Sequence, residues 1–195
     1  MKTTNENIEK KVEVNQKWDI IDNIIALELE MFLQVKAKDD GGNAQCQEEP
    51  ETFKLMRWMS HSVLSQDTLE SYLADLLEAK ANGRNLMTEK YALMENLIPR
   101  LKENPIIDKI AEVEINWMKE LKLKYPNILK GNTDDFKNYM VCEYETYSDK
   151  TLEFLMKDIN TAKTKKLNLP ELRYKNLFKR LGYKSIEEAE QVCNM

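Results

Sequence analysis

Three glutamates and one arginine stand where their helices should be apolar. Ile21, Ile25, Glu28, Phe32 and Val35 share one helical stripe, each three or four residues from the next. Ile107, Ala111, Glu114, Met118 and Leu121 form a second stripe of the same kind. A further pair reads Phe53, Arg57, Ser60, Leu64 and Phe136, Met140, Glu143, Tyr147. A carboxylate in an apolar face is costly unless it is paired, hydrogen-bonded or protonated. These positions therefore predict a polar cluster inside the fold, with Glu28, Glu114 and Arg57 buried and close together. Arg57 can hold one carboxylate through its two-pronged guanidinium, or a carboxylate or phosphate group on a ligand. That leaves at least one Glu without a cation, its pKa raised and suited to proton transfer. Glu28, Glu114 and Glu143 are the candidate catalytic residues, and Arg57 is a candidate ligand-binding residue.

The loop KDDGGNAQCQEEPE adds Cys46 and Gln47 as candidate ligand contacts. A connection of this length inside a compact helical protein is uncommon unless it has a role. Gly41-Gly42 permits a tight fold-back, and Gln47 can both donate and accept. The segment from Asp39 to Glu51 is expected to fold over the start of the next helix, capped by Thr52, and to bring Gln47 or Cys46 near Arg57. A nucleophilic Cys46 would need Arg57 or His61 to form its thiolate. His61 is the only histidine, so a di-iron carboxylate site, which needs two Glu-x-x-His motifs, does not fit. Tyr144 stands where the second His would be. Glu28, Glu114 and Glu143 could together surround a hard cation such as Mg²⁺, but the reading assigns no metal, and the cofactor is unknown.

The rest of the composition narrows the class. Of 195 residues, 42% are hydrophobic and 32% charged, which describes a folded, soluble chain. Gly and Pro number only five each, too few for a loop-rich β sandwich. A net charge of −5 argues against nucleic acid or an anionic membrane surface as partner. Three Cys leave an odd thiol and no C-x-x-C pair, so a disulfide scaffold is not expected. The start MKTTNENIEKK is not followed by an apolar run, and no stretch has the length of a membrane span, which predicts a cytoplasmic protein.

Helical periodicity runs through the chain and predicts an all-α bundle of eight or nine helices. The first spans Asp19 to Val35, with residues 1–19 as a tail or helix extension. Others follow at 51–65, 67–82, 87–102, 105–124, 133–147, 149–165, 170–181 and 185–193. Ser65 should cap one helix, Asn82-Gly83 should end it, and Pro105 should open another. IIDNIIALE at 20–28 resembles IIDKIAEVE at 106–114, and the spaced residues of 53–80 recur at 136–163. Identity extends to polar positions: Asp22/Asp108, Ser65/Ser148, Thr68/Thr151, Asp75/Asp158 and Asn85/Asn168. The expected architecture is a tandem duplication packed about a pseudo-twofold axis. Residues 20–195 would form one domain of two repeats, about 20–102 and 105–182, with a cleft between them.

GGNAQCQ at 41–47, TFKLMR at 52–57, ESYLADLLEAKANGRNLMTEKYALM at 70–94 and GYKSIEEAE at 182–190 carry a family resemblance. Together they resemble an uncharacterised bacterial family, domain of unknown function four-one-two-five. The resemblance implies that Gly41, Gly42, Ala44, Cys46, Gln47, Phe53 and Arg57 belong to the family's signature. This chain departs from it at Asn43, where the family has Arg, and at Ser60, where it has Gln. The family also has a longer polar loop around residues 126–135. If those positions act on a ligand, the activity here is altered or lost.

Two functional readings follow. In one, the chain is a small-molecule-binding protein or enzyme with a Glu/Arg cleft between the repeats and a small anionic ligand. In the other, it is a helical interaction or structural module whose buried charges only set packing. An open cleft at Arg57 favours the first, and a sealed cluster favours the second.

Overall fold

A computed structural model describes residues 2–36 and 45–193, the side chains of 2–15, 45 and 46 excepted. Gly41, Gly42, Asn43 and Ala44, and the thiol of Cys46, lie outside the described residues. The described residues form an all-α helical bundle. The helices are α1 (Lys2–Phe32), α2 (Pro50–His61), α3 (Gln66–Ala81), α4 (Leu86–Met94), α5 (Pro105–Lys124), α6 (Thr133–Glu145), α7 (Asp149–Thr164), α8 (Leu169–Arg180) and α9 (Ile186–Val192). None of them is long and apolar enough to cross a membrane.

Caps account for most of the boundaries. Ser65 accepts from the Thr68 N–H to start α3, and Asn104 accepts from the Ile106 N–H ahead of Pro105 in α5. Gly83, with φ at +69°, follows the end of α3. Two boundaries differ from expectation. Helix α4 stops at Met94, short of residue 102, because Asn96 turns to φ +55° and the Leu97 N–H returns to the Ala92 carbonyl. Thr52 is not the cap of α2. Glu49 holds that position and Pro50 opens the helix, where a missing N–H costs nothing.

The packing has an internal symmetry. Helix α1 packs on α2, α3 and α4, and α5 packs on α6, α7 and α8. Across the middle, α3 meets α7, α4 meets α6 and α2 meets α8. Exchanging the two groups of four leaves this pattern unchanged. One large core serves both groups, with Ile21, Ile24, Leu69, Leu76, Ile107, Ile110, Leu152 and Ile159 buried in it. Helix α9 closes a smaller cluster of Leu121, Tyr125, Leu129 and Ile186.

The polar residues matched in the sequence cap helices and link α3 to α7. Asp158 accepts from the Ser65 N–H at 2.9 Å and the Thr68 hydroxyl at 2.7 Å. Asp75 accepts in the same way from the Ser148 N–H at 2.9 Å and the Thr151 hydroxyl at 2.6 Å. Asn85 and Asn168 each cap a helix and also donate to a carbonyl, of Met31 and of Trp117. Hydrogen bonds to a charged acceptor contribute about 1.5–3 kcal/mol each. Each aspartate accepts two, so Asp75→Ala and Asp158→Ala should each lower stability by about 3 kcal/mol or more in urea unfolding, and by similar amounts. A loss confined to one of the two would show that the link between α3 and α7 is not held symmetrically.

Candidate functional site

Arg57 sits in the middle of α2 and is 3% exposed. Its five N–H groups are all engaged. Nε donates to Glu28 Oε2 at 2.8 Å and Nη2 to Glu28 Oε1 at 2.5 Å, a two-pronged pair with α1. Nη1 and Nη2 also reach Glu143 of α6, at 3.0 and 2.9 Å, and Nη1 donates to the Tyr139 hydroxyl at 3.2 Å. A ligand at Arg57 would have to displace one of these bonds.

The two carboxylates are further enclosed. Glu28 accepts from the Tyr72 hydroxyl at 2.8 Å, and the His61 Nε2 lies 3.2 Å from both its oxygens. Glu143 accepts from Lys90 Nζ and from the Tyr147 hydroxyl, both at 2.9 Å. Lys90, on α4, is 1% exposed and stands 3.8 Å above the Tyr139 ring. Burial alone would push both carboxyls up, but their charged and hydrogen-bonding partners more than reverse it. Arg57 and His61 hold Glu28 down at about 2, and Arg57 with Lys90 holds Glu143 well below the usual carboxylate range. For Lys90, burial works downward and Glu143 overcomes it, so the ammonium is kept.

Glu114 is buried as expected, but its partner is Arg173 of α8, which donates to both its oxygens at 2.7 Å. The expectation that at least one of the three glutamates lacks a cation is thus corrected. Each is matched, because α4 and α8 supply Lys90 and Arg173. No three His, Cys, Asp or Glu side chains gather as a metal set among the described residues.

Gln47 is buried in a 3-10 turn at Gln45–Glu48. It donates to the Phe32 and Val35 carbonyls, at 2.6 and 2.8 Å, and so satisfies the open end of α1. It fastens the segment between α1 and α2.

A partly enclosed cavity of about 70 Å³ lies beside this network, between α2 on one side and α6, α7 and α8 on the other. Ser60, His61, Met140, Glu143, Tyr144 and Arg173 are among its lining residues. Two buried side-chain atoms lack a hydrogen-bond partner among the described residues, His61 Nδ1 and Arg173 Nε. Both belong to residues that line this cavity. Unpaired buried polar atoms are rare in folded proteins and mark a bound water, an ion or a ligand.

A family model described as protein of unknown function (DUF4125) matches residues 18–191. The chain belongs to that family. No curated protein and no solved structure matches it. In this DUF4125 chain two further cations, Lys90 and Arg173, interrupt apolar rows as Arg57 does. Lys90 lies between Leu86 and Leu93, and Arg173 between Leu169 and Leu177, each in a buried row. They also occupy matching places one residue before Tyr91 and Tyr174. His61 stands one turn after Arg57 on the same face of α2, which the spacing shows directly. Tyr72 and Tyr147 read as plain core, since nothing in a pattern distinguishes a buried ring from one whose hydroxyl meets a carboxylate.

Proposed function

We propose that the protein binds a small polar molecule, or the polar end of a larger one, in the cavity beside His61 and Arg173. The observation that carries this reading is that the two residues with an unpartnered buried nitrogen, His61 and Arg173, both line one cavity. In this reading Glu28, Arg57, Glu143 and Lys90 form a rigid charged support. Glu28 orients the His61 ring from behind, as carboxylates commonly orient functional imidazoles. With Glu28 and Glu143 engaged by their own partners, the unpartnered Nδ1 of His61 is the ring atom left to meet a ligand. The cavity is roomy enough for a few non-hydrogen atoms and for several waters. We also keep the two repeats, about 20–102 and 105–182, as a proposal; the exchangeable packing pattern and the paired Asp clamps support it. A protein kept in the cytoplasm, without nucleic-acid or membrane partners, remains part of the same proposal.

The test is thermal unfolding with a panel of compact molecules such as acetate, acetamide and imidazole. A ligand at a hundred times its Kd stabilises by about 2.7 kcal/mol, which is several degrees in Tm for a chain of this size. At least one compound should raise the Tm in this way. Ser60→Gln, which puts a longer side chain at the cavity wall, should abolish the rise while leaving the fold intact. A panel without effect, or an equal effect in Ser60→Gln, contradicts the reading.

The full engagement of the Arg57 N–H groups favours a second reading, in which the charged network only fixes helix pairing and the protein is an interaction or structural module. On that reading no compound shifts the Tm, and variants of the network change stability alone.

A further inference from the structure

The buried charges around the cavity are balanced before any ligand enters. Glu28, Glu114 and Glu143 face Arg57, Lys90 and Arg173, three against three. His61 stands beside this balanced set, where a neutral ring keeps the balance, and the placement of its hydrogen follows from its neighbours. Both hydrogens of Arg57 Nη2 are spent, on Glu28 Oε1 and Glu143 Oε1, so none is left for His61 Nε2 at 3.3 Å. Nε2 therefore carries its own hydrogen toward Glu28, and Nδ1 presents a lone pair. Arg173 uses Nη1 and Nη2 on Glu114 and has Nε–H remaining.

One acceptor and one donor are the complement of a carboxylic acid group, whose O–H meets Nδ1 and whose C=O meets Nε–H. Near neutral pH such an acid is present in solution as its anion. An anion alone would unbalance the buried set, and burying an unmatched charge is prohibitive. We propose that the cavity takes up a small monocarboxylate together with one proton, which His61 Nδ1 receives. The new N–H bond forms with a proton from solvent, no covalent bond of the ligand breaks, and the imidazolium formed lies between the ligand anion and Glu28. The charged and titratable groups facing His61 from all sides are Glu28 on α1, Arg57 on its own helix, Tyr72 on α3, Glu143 and Tyr144 on α6, Tyr147 after it, and Arg173 on α8. The volume of about 70 Å³ limits the acid, or the part of it inside, to roughly the size of acetate. This inference rests on the reading of the cavity as a binding site.

The experiment is titration calorimetry of the full chain with sodium acetate and, separately, acetamide, in two buffers of different ionisation enthalpy. Acetamide has the same shape and the same donor–acceptor pair without the charge. Acetate is expected to bind with uptake of about one proton, and its affinity to fall about tenfold per pH unit across the range where uptake is complete. Acetamide should bind without uptake, and His61→Asn should lose proton uptake with acetate. Acetate binding without a proton overturns the inference. So does binding of acetamide alone, although the cavity then remains a binding site. If neither compound binds, the cavity reading fails and the inference with it.

Discussion

Arg57→Ala should lower the unfolding free energy by about 3–5 kcal/mol, the usual cost of removing one partner from a buried ion pair. That is a third or more of the stability of an ordinary domain. The substitution strips the two-pronged cation from Glu28 and leaves Glu143 with Lys90 alone. Arg57→Lys keeps the charge but can no longer reach both carboxylates through five N–H groups, so it should fall between the two. Adding Glu28→Gln to Arg57→Met should recover part of the loss, since Glu143 keeps Lys90 as its partner and no uncompensated charge is then buried. Urea unfolding of the four proteins measures the series. A cost for Arg57→Ala below about 1 kcal/mol, the scale of an exposed pair, would mean that the network is solvated.

Acid should unfold the protein through the same carboxylates. The Glu28 carboxyl is held at about 2 in the folded chain, against 4.5 for the free side chain, because Arg57 and His61 outweigh its burial. A group with a lowered folded pKa stabilises above its unfolded value and loses that contribution as pH falls through the folded one. Its contribution is therefore complete above about pH 5, declines below pH 4.5 and is gone near pH 2, a span of about 3 kcal/mol. Glu143 acts in the same direction. Stability measured from pH 7 down to pH 2.5 should fall less steeply in Glu28→Gln than in the wild type. Parallel profiles for the two proteins would show that Glu28 is not bound as described.

The positions of helices and of Glu28, Arg57 and Glu143 were readable because burial leaves a periodic trace. A charge in an apolar stripe is visible in a one-dimensional pattern, and all three proved buried at Arg57. Which cation meets which carboxylate is not visible there. It depends on how α4 and α8 cross α6 and α5, so Glu114 pairs with Arg173 rather than Arg57. Gln47 shows the same boundary. It was expected to reach toward Arg57, and the carbonyls it meets at the end of α1 are set by the path of the chain. The end of α4 was missed for a local reason, since Asn96 adopts a left-handed conformation that periodicity cannot register. A cleft between the two halves was expected from the sequence, but which side chains line the cavity depends on how α2 meets α6, α7 and α8.

His61 is the only histidine in the chain, so its two ring nitrogens give a single set of ¹⁵N signals. A long-range ¹H–¹⁵N spectrum of the labelled protein, recorded during an acetate titration near neutral pH, reads the cavity directly. Without acetate, Nε2 should appear protonated and Nδ1 unprotonated. With acetate, Nδ1 should move to the protonated position while Nε2 stays where it was, and Ser60→Gln should prevent the change. A ring that keeps its free spectrum to saturating acetate, or changes equally in Ser60→Gln, would contradict a ligand site at His61 and Arg173.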